Sequence, residues 1–296
     1  MLCLYHTDLD GFCSGAIVKN KFPKCRMFPI NYNLEIPFSE LKKNEELWIV
    51  DFSFEKEGEW EKAFEITNNI YWIDHHISHL DSPIGNQAGG IRDDSCSGAM
   101  LTWKYVNGKN SEIPKIVKLV SDYDTFTFDY PETIYVEAAL SSYNIDPQYP
   151  KAMLLWHKLL YPDDPKVGYL VDEGKIIIRY RRQNELFNFA SVGFECQWEG
   201  YRCLVASTSR CSVLYDALKS KFKLDKYDIL VTTKHDGKLW TISLSSLNPE
   251  IDVSKIALNY GGGGHKGASG FQCRELPKFK DIKQIGGKRL TEVLGS

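Results

Sequence analysis

The chain has 296 residues, of which 36 are Lys or Arg and 39 are Asp or Glu, so its formal net charge is −3. This balance argues against a strongly basic binder of long nucleic acid, and 43% hydrophobic with 25% charged residues argues against a disordered chain. No stretch approaches the roughly 20 consecutive apolar residues of a membrane helix, and the first residues lack a signal-peptide pattern. We therefore expect a soluble, cytoplasmic protein with no membrane partner.

The distribution of charge along the chain and the spacing of the cysteines further limit the kinds of site that fit this sequence. Residues 1–170 carry 16 basic and 25 acidic side chains, a net −9, whereas residues 171–296 carry 20 and 14, a net +6. An acidic half with most of the histidines suits divalent cations, and a basic half suits a phosphate-bearing partner, although solvated faces alone could produce this asymmetry. The eight cysteines form no CxxC pair, which indicates reduced thiols rather than a zinc site or a disulfide framework.

The first third of the chain predicts a parallel α/β sheet. Three apolar runs, MLCLYH, ELWIV and NIYWI, each end at polar residues, namely HTDLDG, Asp51 and Asp74. The segments GFCSGAIVKNKF and EWEKAFEITNN between them have the pattern of helices. Since ligands bind beyond the carboxyl ends of parallel strands, these polar ends should converge on one crevice.

The remaining chain predicts further helices and then a second domain. SCSGAMLTWKYV and IPKIVKLVSDYD predict helices, the proline-rich residues 140–170 a connecting region, and GKIIIRYRRQNELFNFA a linking helix. After it follow a strand, a helix, a hairpin turning at His235-Asp236-Gly237 and another helix, DVSKIALNYGG. We predict a parallel-sheet α/β domain over 1–174, a linking helix over 175–193 and a smaller mixed α/β substrate domain over 194–296.

The strongest chemical signal is the set of acids and histidines at the strand ends. It comprises the motif HTDLDG, Asp51, the run Asp74-His75-His76, and Asp122 in SDYD. Oxygen and imidazole ligands without thiolate suit Mn²⁺, Mg²⁺ or Fe²⁺, and more than four ligands with excess carboxylate indicate two cations bridged by one carboxylate. A single Asp after a strand is more often a helix cap, but capping does not explain three successive strand ends.

A second signal is the run of four glycines followed by His265 and Lys266. Glycines allow backbone amides to face a phosphate, and the His and Lys side chains can add charge-assisted hydrogen bonds. The alternative is a flexible loop. The run follows a predicted helix and leads into a strand, which excludes the Rossmann and P-loop motifs.

These motifs resemble those of the DHH phosphoesterase superfamily, whose Asp-His-His motif is matched by Asp74-His75-His76. HTDLDG, Asp51 and SDYDTF resemble its first, second and fourth motifs, and GGGGHKGASGF resembles the signature of the DHH-associated substrate domain. The resemblance covers roughly 1–130 and 190–275. The two-domain layout is similar to the nanoRNase and oligoribonuclease branch, since RecJ exonucleases are usually larger and the related polyphosphatases have a different second domain.

The resemblance implies a role for each motif. Two divalent cations, Mn²⁺ first among the options, would be held by His6, Asp8, Asp10, Asp51, His75 and Asp122. Asp51 would bridge them. In the catalytic set, Asp74 would orient the imidazoles and His76 would contact the scissile phosphate or assist the leaving oxygen. The substrate would be bound from the second domain by Gly262, Gly263, Gly264, His265, Lys266 and Arg210.

The sequence leaves several metal ligands and phosphate-binding residues open. Asp124 competes with Asp122 as the ligand of the fourth motif, and His79 is close enough to His76 to be considered as a further ligand. Many relatives have SLRS where this chain has SLSS at 243–246, so Arg210, Lys234 or Lys266 would have to replace the missing Arg.

The resemblance implies a metal-dependent phosphodiesterase that converts short single-stranded oligonucleotides or linear dinucleotides to nucleoside 5'-monophosphates. Alternatives are an enzyme for cyclic dinucleotides or 3'-phosphoadenosine 5'-phosphate, a noncatalytic nucleotide sensor, and a protein whose metal is structural. The oligomeric state is open, with a homodimer as one option.

Overall fold

The protein, described here from a computed structural model that covers residues 1–32, 34–76, 82–162, 165–209 and 211–285, divides into two units within one helix. The units are Met1–Ile177 and Ile178–Ser296. In the part of the chain described, no helix combines the length and the apolar character needed to cross a bilayer.

The first unit is built on a parallel sheet. Its strands are β1 (Leu2–His6), β2 (Arg26–Ile30), β3 (Leu47–Val50) and β4 (Ile70–Ile73), in the spatial order β2-β1-β3-β4. All the pairings in this sheet are parallel, with Leu4 opposite Ile49 and Val50 opposite Ile73. The α/β class with a parallel sheet in the first domain is confirmed, and the carboxyl ends of β1, β3 and β4 are neighbours.

Helices pack on both faces of this sheet and against one another. They are α1 (Leu9–Lys21), α2 (Glu59–Ile66), α3 (Gly98–Asn107), α4 (Lys115–Asp124), α5 (Thr133–Leu140) and α6 (Pro150–Leu159), followed by α7 (Lys166–Val192). Alternate residues of β1 face opposite sides, as the two-residue period of a strand requires. Leu2 and Leu4 pack in the cluster that contains Trp60 of α2, whereas Cys3 and Tyr5 pack with Val18 of α1.

The second unit has its own mixed sheet. Its strands are β5 (Phe194–Trp198), β6 (Tyr201–Ser207), β7 (Ile229–His235), β8 (Trp240–Ser246), β9 (Gly263–His265), β10 (Ala268–Cys273) and β11 (Lys280–Gln284). The spatial order is β11-β5-β6-β7-β8-β10-β9, and only the β6–β7 pairing among those described is parallel. The helices are α8 (Cys211–Lys221) and α9 (Val253–Asn259). This mixed α/β unit agrees with the predicted class.

The segment 140–170 is more than a connecting region, which corrects the sequence interpretation. Pro150 is the first residue of α6, where its missing N–H costs no helical hydrogen bond. Trp156 is fully buried in the core formed with α1, α3 and α4, and its indole Nε1 donates to the carbonyl of Ile145 at 2.7 Å. The prolines therefore mark the start of a core helix.

The predicted elements also omit the edge strand β2. Its sequence RMFPI contains Pro29, which usually counts against a strand. Among the described strands β2 pairs only with β1, so its outer edge forms no ladder there and the proline is tolerated.

We expect Trp156→Ala to destabilise the first unit by about 3–5 kcal/mol, because it leaves a large cavity and an unpaired carbonyl in the core. Urea unfolding followed by circular dichroism measures this loss. Leu154→Ala on the same helix is the matched control, since Leu154 is 67% exposed and should change stability by less than about 0.5 kcal/mol. Equal effects of the two substitutions would contradict the core role of α6.

Candidate metal centre

Acids and histidines from the ends of β1, β3 and β4 meet at one edge of the parallel sheet. At the end of β3 the backbone of Asp51 turns into the left-handed region, with a φ of 55°. Such a φ is uncommon for a residue with a side chain, although Asp tolerates it better than most. The turn places the Asp51 carboxylate beside side chains that follow β1 and β4.

The carboxylate of Asp51 occupies the middle of this group. Its side chain is 1% exposed, and neither oxygen has a hydrogen-bond partner among the described residues. Oδ1 lies 3.2 Å from Nε2 of His75 and Oδ2 lies 3.8 Å from Nδ1 of His6. Burial, and then the negative charges of Asp10 and Asp8, raise the pKa of Asp51 well above its ordinary value.

The N-terminus of α3 holds Asp10. The backbone N–H of Gly98 donates to Oδ2 at 2.7 Å, and that of Ala99 donates to Oδ1 at 3.0 Å. A Cβ atom at position 98 would lie 2.8 Å from Oδ1 of Asp51 and 3.0 Å from Oδ2 of Asp10. Only glycine therefore allows the helix end to approach both carboxylates.

Asp8 and His6 form a pair at the end of β1. Asp8 caps α1, because its Oδ1 accepts a hydrogen bond from the N–H of Gly11 at 2.8 Å. Its Oδ2 lies 2.8 Å from Nδ1 of His6. Burial works to raise the pKa of Asp8, but the contact with His6 outweighs it and the pKa falls below its ordinary value. Asp8 thus stays ionised beside Asp51.

Asp74 fixes the two histidines that follow it. Its Oδ1 accepts from the backbone N–H of His75 at 2.8 Å and lies 2.7 Å from Nδ1 of His76. Asp74 is fully buried, and its hydrogen bond to His76 raises the pKa of that imidazole above the ordinary value. The positioning role predicted for Asp74 is consistent with these contacts.

Asp122 does not join the cluster, which corrects the order of preference between the two acids of the fourth motif. Its Oδ1 accepts from the Thr127 hydroxyl at 2.8 Å and from the Asp129 N–H at 2.7 Å. Its Oδ2 accepts from the Thr133 hydroxyl and from the Tyr130 N–H. Although burial raises its pKa, the hydrogen bonds, that of Thr133 first, outweigh burial and lower it. The Asp122 carboxylate therefore stabilises the loop after α4 through these hydrogen bonds.

Asp124 occupies the place expected of Asp122. Its Oδ2 lies 3.3 Å from Nε2 of His75 and has no hydrogen-bond partner in the described part of the chain. Burial, and then the charges of Asp10 and Asp8, raise the pKa of Asp124 to about 8. A buried oxygen without a hydrogen-bond partner and a raised pKa are expected of an acid that has no positive charge beside it.

The donors fit divalent cations. Three overlapping groups have their donor atoms within 4.8 Å of one another: His6, Asp8 and Asp51; Asp51, His75 and His76; and Asp10, His75 and Asp124. Buried acceptors without hydrogen-bond partners are costly, and a cation removes both that cost and the repulsion between carboxylates. His79, considered as a further ligand, lies outside the described residues.

The glycine run lies in the second unit. Gly263, Gly264 and His265 form β9, which pairs with β10, and Gly262 precedes this hairpin. His265 and Lys266 are exposed, and the Lys266 carbonyl accepts from the N–H of Val253 at 3.0 Å. The hairpin is thus tied to the start of α9 by its backbone. Arg210 lies outside the described residues.

The two acids of the fourth motif should respond differently to amidation. Asp124→Asn should lower Mn²⁺ affinity by at least about tenfold, because it removes a charged donor from the cluster. Asp122→Asn should instead lower the free energy of unfolding by about 1–3 kcal/mol, since an amide group would face hydrogen-bond donors. Calorimetric titration with Mn²⁺ and urea unfolding without it measure the two effects. The reverse pattern would restore Asp122 as the ligand.

The pKa of Asp124 also predicts a pH dependence. Between the ordinary Asp pKa of about 3.9 and a pKa of about 8, the folded protein binds more protons than the unfolded chain. Without a cation its stability should therefore fall as pH rises through this window. Mn²⁺ requires ionised carboxylates, so the rise in melting temperature on adding Mn²⁺ should be larger at pH 8 than at pH 6. In Asp124→Asn this pH dependence should shrink; an unchanged dependence would refute the assignment.

Three known proteins are similar to this chain over most of its length. The oligoribonuclease NrnB of Bacillus subtilis (strain 168) is 28% identical over 293 aligned residues, which cover 90% of this chain and 71% of NrnB. The uncharacterized protein R106 of Acanthamoeba polyphaga mimivirus is 24% identical over 277 residues, with 88% and 61% covered. The pGpG-specific phosphodiesterase PggH of Vibrio cholerae shares the fold, with a TM-score of 0.54, 14% identity and coverage of 92% and 93%.

No protein-family model matches the sequence. The motifs nevertheless occur in the expected order, and the acids and histidines of the first three meet at one edge of the parallel sheet. The relation to NrnB extends over both units, as does the fold shared with PggH. The chain is therefore similar to NrnB in sequence and to PggH in fold, and its motifs resemble those of the DHH phosphoesterase superfamily.

Proposed function

We propose that the protein is a metal-dependent phosphodiesterase that hydrolyses short oligonucleotides or linear dinucleotides to nucleoside 5'-monophosphates. The observation that carries this proposal is the buried Asp51 carboxylate, which has no hydrogen-bond partner in the described chain and lies among imidazole and carboxylate donors. Such a site suits cations that act on a phosphodiester rather than a purely structural ion, because its donors lie at the mouth of a parallel sheet.

Two cations account best for the donors. One would be held by His6, Asp8 and Asp51, and the other by Asp10, His75 and Asp124, with Asp51 shared between them. Mn²⁺ is the first ion to test, followed by Mg²⁺ and Fe²⁺, since imidazole with carboxylate suits all three. Bound cations would supply a nucleophile from water at neutral pH and neutralise charge on the phosphoryl oxygens.

The chain's own residues would do the remaining work. Asp74 holds His76 by Nδ1 and raises its pKa, which favours the protonated imidazole. A protonated His76 could donate to the leaving oxygen or to a phosphoryl oxygen. The N-terminus of α3 holds Asp10 in place through Gly98 and Ala99, so the donor set is ordered before the substrate arrives.

Substrate contacts are proposed for the second unit. The exposed Gly263, Gly264, His265 and Lys266 offer amides, an imidazole and an ammonium group that suit a phosphate. Gly262 and Arg210 complete the set proposed from the sequence. The net charge of −3 and the activities named for NrnB and PggH support a short rather than a long nucleic acid as the substrate.

The test is turnover of a labelled single-stranded RNA ladder from two to about 24 nucleotides in Mn²⁺, a span that brackets the sites of small single-strand binders. A cyclic dinucleotide and 3'-phosphoadenosine 5'-phosphate are run in parallel. Stepwise shortening to 5'-monophosphates is expected. His75→Ala should lower kcat by at least about 100-fold.

His157→Ala is the matched control, because His157 is an exposed imidazole on α6 outside the cluster, and the variant should retain wild-type turnover. Turnover of only the cyclic dinucleotide or the bisphosphate would preserve the chemistry and refute the proposed substrate. No turnover with any of the three metals would favour a nucleotide sensor.

A further inference from the structure

An aromatic cluster with two exposed rings flanks Asp124, the acid of the fourth motif that lies in the donor cluster. We call Tyr123, Phe126 and Phe128 the aromatic loop; the first lies in α4 and the others follow it. Phe126 is 75% exposed and Phe128 44% exposed, although both are large apolar side chains. The Tyr123 and Phe126 rings are stacked with centroids 6.4 Å apart, and the Phe126 and Phe128 centroids are 6.0 Å apart.

The backbone of this loop is strained. Phe126 has a φ of 54° and Phe128 a φ of 53°, in the left-handed region that bulky residues rarely adopt. Such a conformation persists only where its surroundings hold it, and it is frequent at ligand-binding sites. Two strained phenylalanines that remain exposed gain little from burial, so the core does not explain them.

Asp122 holds the loop in this shape. Its carboxylate accepts the Thr127 hydroxyl and the Asp129 N–H, and its backbone carbonyl accepts the Thr127 N–H at 3.2 Å. The acid lies inside the loop, and the two phenylalanine rings lie outside it. The loop is therefore built around a buried anion and presents the rings to solvent.

The aromatic loop is close to the metal centre. Asp124, which contributes to the donor cluster, lies two residues before Phe126, and two residues of extended chain span at most about 7 Å. The backbone that carries these rings therefore starts within about 7 Å of the Asp124 Cα, a distance that the sugar and base of a bound nucleotide can span. Because the aromatic loop adjoins the donor cluster, the base of a nucleotide bound at that cluster is the ligand expected for these rings.

The charges of the loop favour an uncharged, flat ligand. Residues 123–130 contain no Lys or Arg and two acids, Asp124 and Asp129, so they are unsuited to a phosphate. A protein partner needs about 800 Å² of surface on each side, far more than three rings offer. Aromatic faces stack nucleobases regardless of sequence.

We propose that Phe126 and Phe128 form a nucleobase-stacking subsite beside the metal centre. The inference rests on the proposed function, because it assigns the base of the same nucleotide substrate. The aromatic loop takes no part in the chemical step. Substitutions there should raise KM for a dinucleotide and leave kcat within about twofold, since stacking contributes equally to the ground state and the transition state.

The decisive experiment compares the binding of adenosine 5'-monophosphate and ribose 5-phosphate by calorimetry in Mn²⁺, which needs no turnover. The wild type should bind the base-bearing ligand roughly five- to 150-fold more tightly, as expected for one stacked base. The double variant Phe126→Ala/Phe128→Ala should lose most of this preference, and Phe126→Leu/Phe128→Leu should lose it despite keeping apolar bulk. Tyr169→Ala, at a 67% exposed ring on α7, should keep it.

The outcomes distinguish the proposed stacking subsite from the proposed phosphodiesterase activity. An unchanged preference in both double variants, or no preference in the wild type, would overturn the stacking subsite even if RNA is hydrolysed. A preference that depends on the phenylalanines without hydrolysis of any substrate would support the subsite and refute the proposed activity. Circular dichroism should show unchanged melting of the variants, because both side chains are exposed.

Discussion

Repulsion between buried carboxylates is the constraint on which this site depends. Burial, and then the negative charges of Asp10 and Asp8, raise the pKa values of both Asp51 and Asp124. A protein without a counter-charge would protonate these acids or separate them. The arrangement is therefore one that a divalent cation stabilises, and the parallel sheet brings the acids together by ending neighbouring strands at the same edge.

The acids near this edge fall into two groups according to their hydrogen bonds. Asp74 and Asp122 accept several hydrogen bonds from the chain, and each positions something else, respectively His76 and the loop after α4. Asp51 and Asp124 have buried oxygens that accept none from the described chain. Asp10 combines both roles, because two amides of α3 hold it next to His75. Because Oδ2 of Asp74 is also buried without a partner among the described residues, the hydrogen bonds set Asp122 apart from the cluster but do not by themselves separate Asp74 from the candidate ligands.

Much of this could be predicted from sequence because it follows from short periodic patterns. Three apolar runs ending in polar residues were enough to predict a parallel sheet and to place Asp51 and the Asp-His-His motif at one edge. The choice between Asp122 and Asp124 could not be made in this way. Residues two apart on a helix point in nearly opposite directions, and only tertiary packing determines which of them faces the site.

Other features depended on contacts that are distant in the chain. The amides that hold Asp10 belong to α3, 88 residues later, and the only local sign is a small-residue segment, SCSGA, that caps a helix. The prolines around α6 have the composition of a loop, yet Trp156 anchors that helix in the core. The strand β2 contains a proline that is acceptable only at an edge. Amino-acid composition alone does not show which residues, distant in the chain, become neighbours in the fold.

The contrast between Asp122 and Asp124 has a consequence for how a cation bound at the donor cluster would respond to acid. Hydrogen bonds lower the pKa of Asp122, whereas burial and neighbouring charges raise that of Asp124 to about 8. A cation requires the ionised form of Asp124, so acid competes with the cation at this carboxylate, while Asp122 remains ionised and the loop keeps its shape. Metal release by acid should accordingly be a reversible event confined to the donor cluster, and neutral buffer with fresh cation should restore the site without refolding.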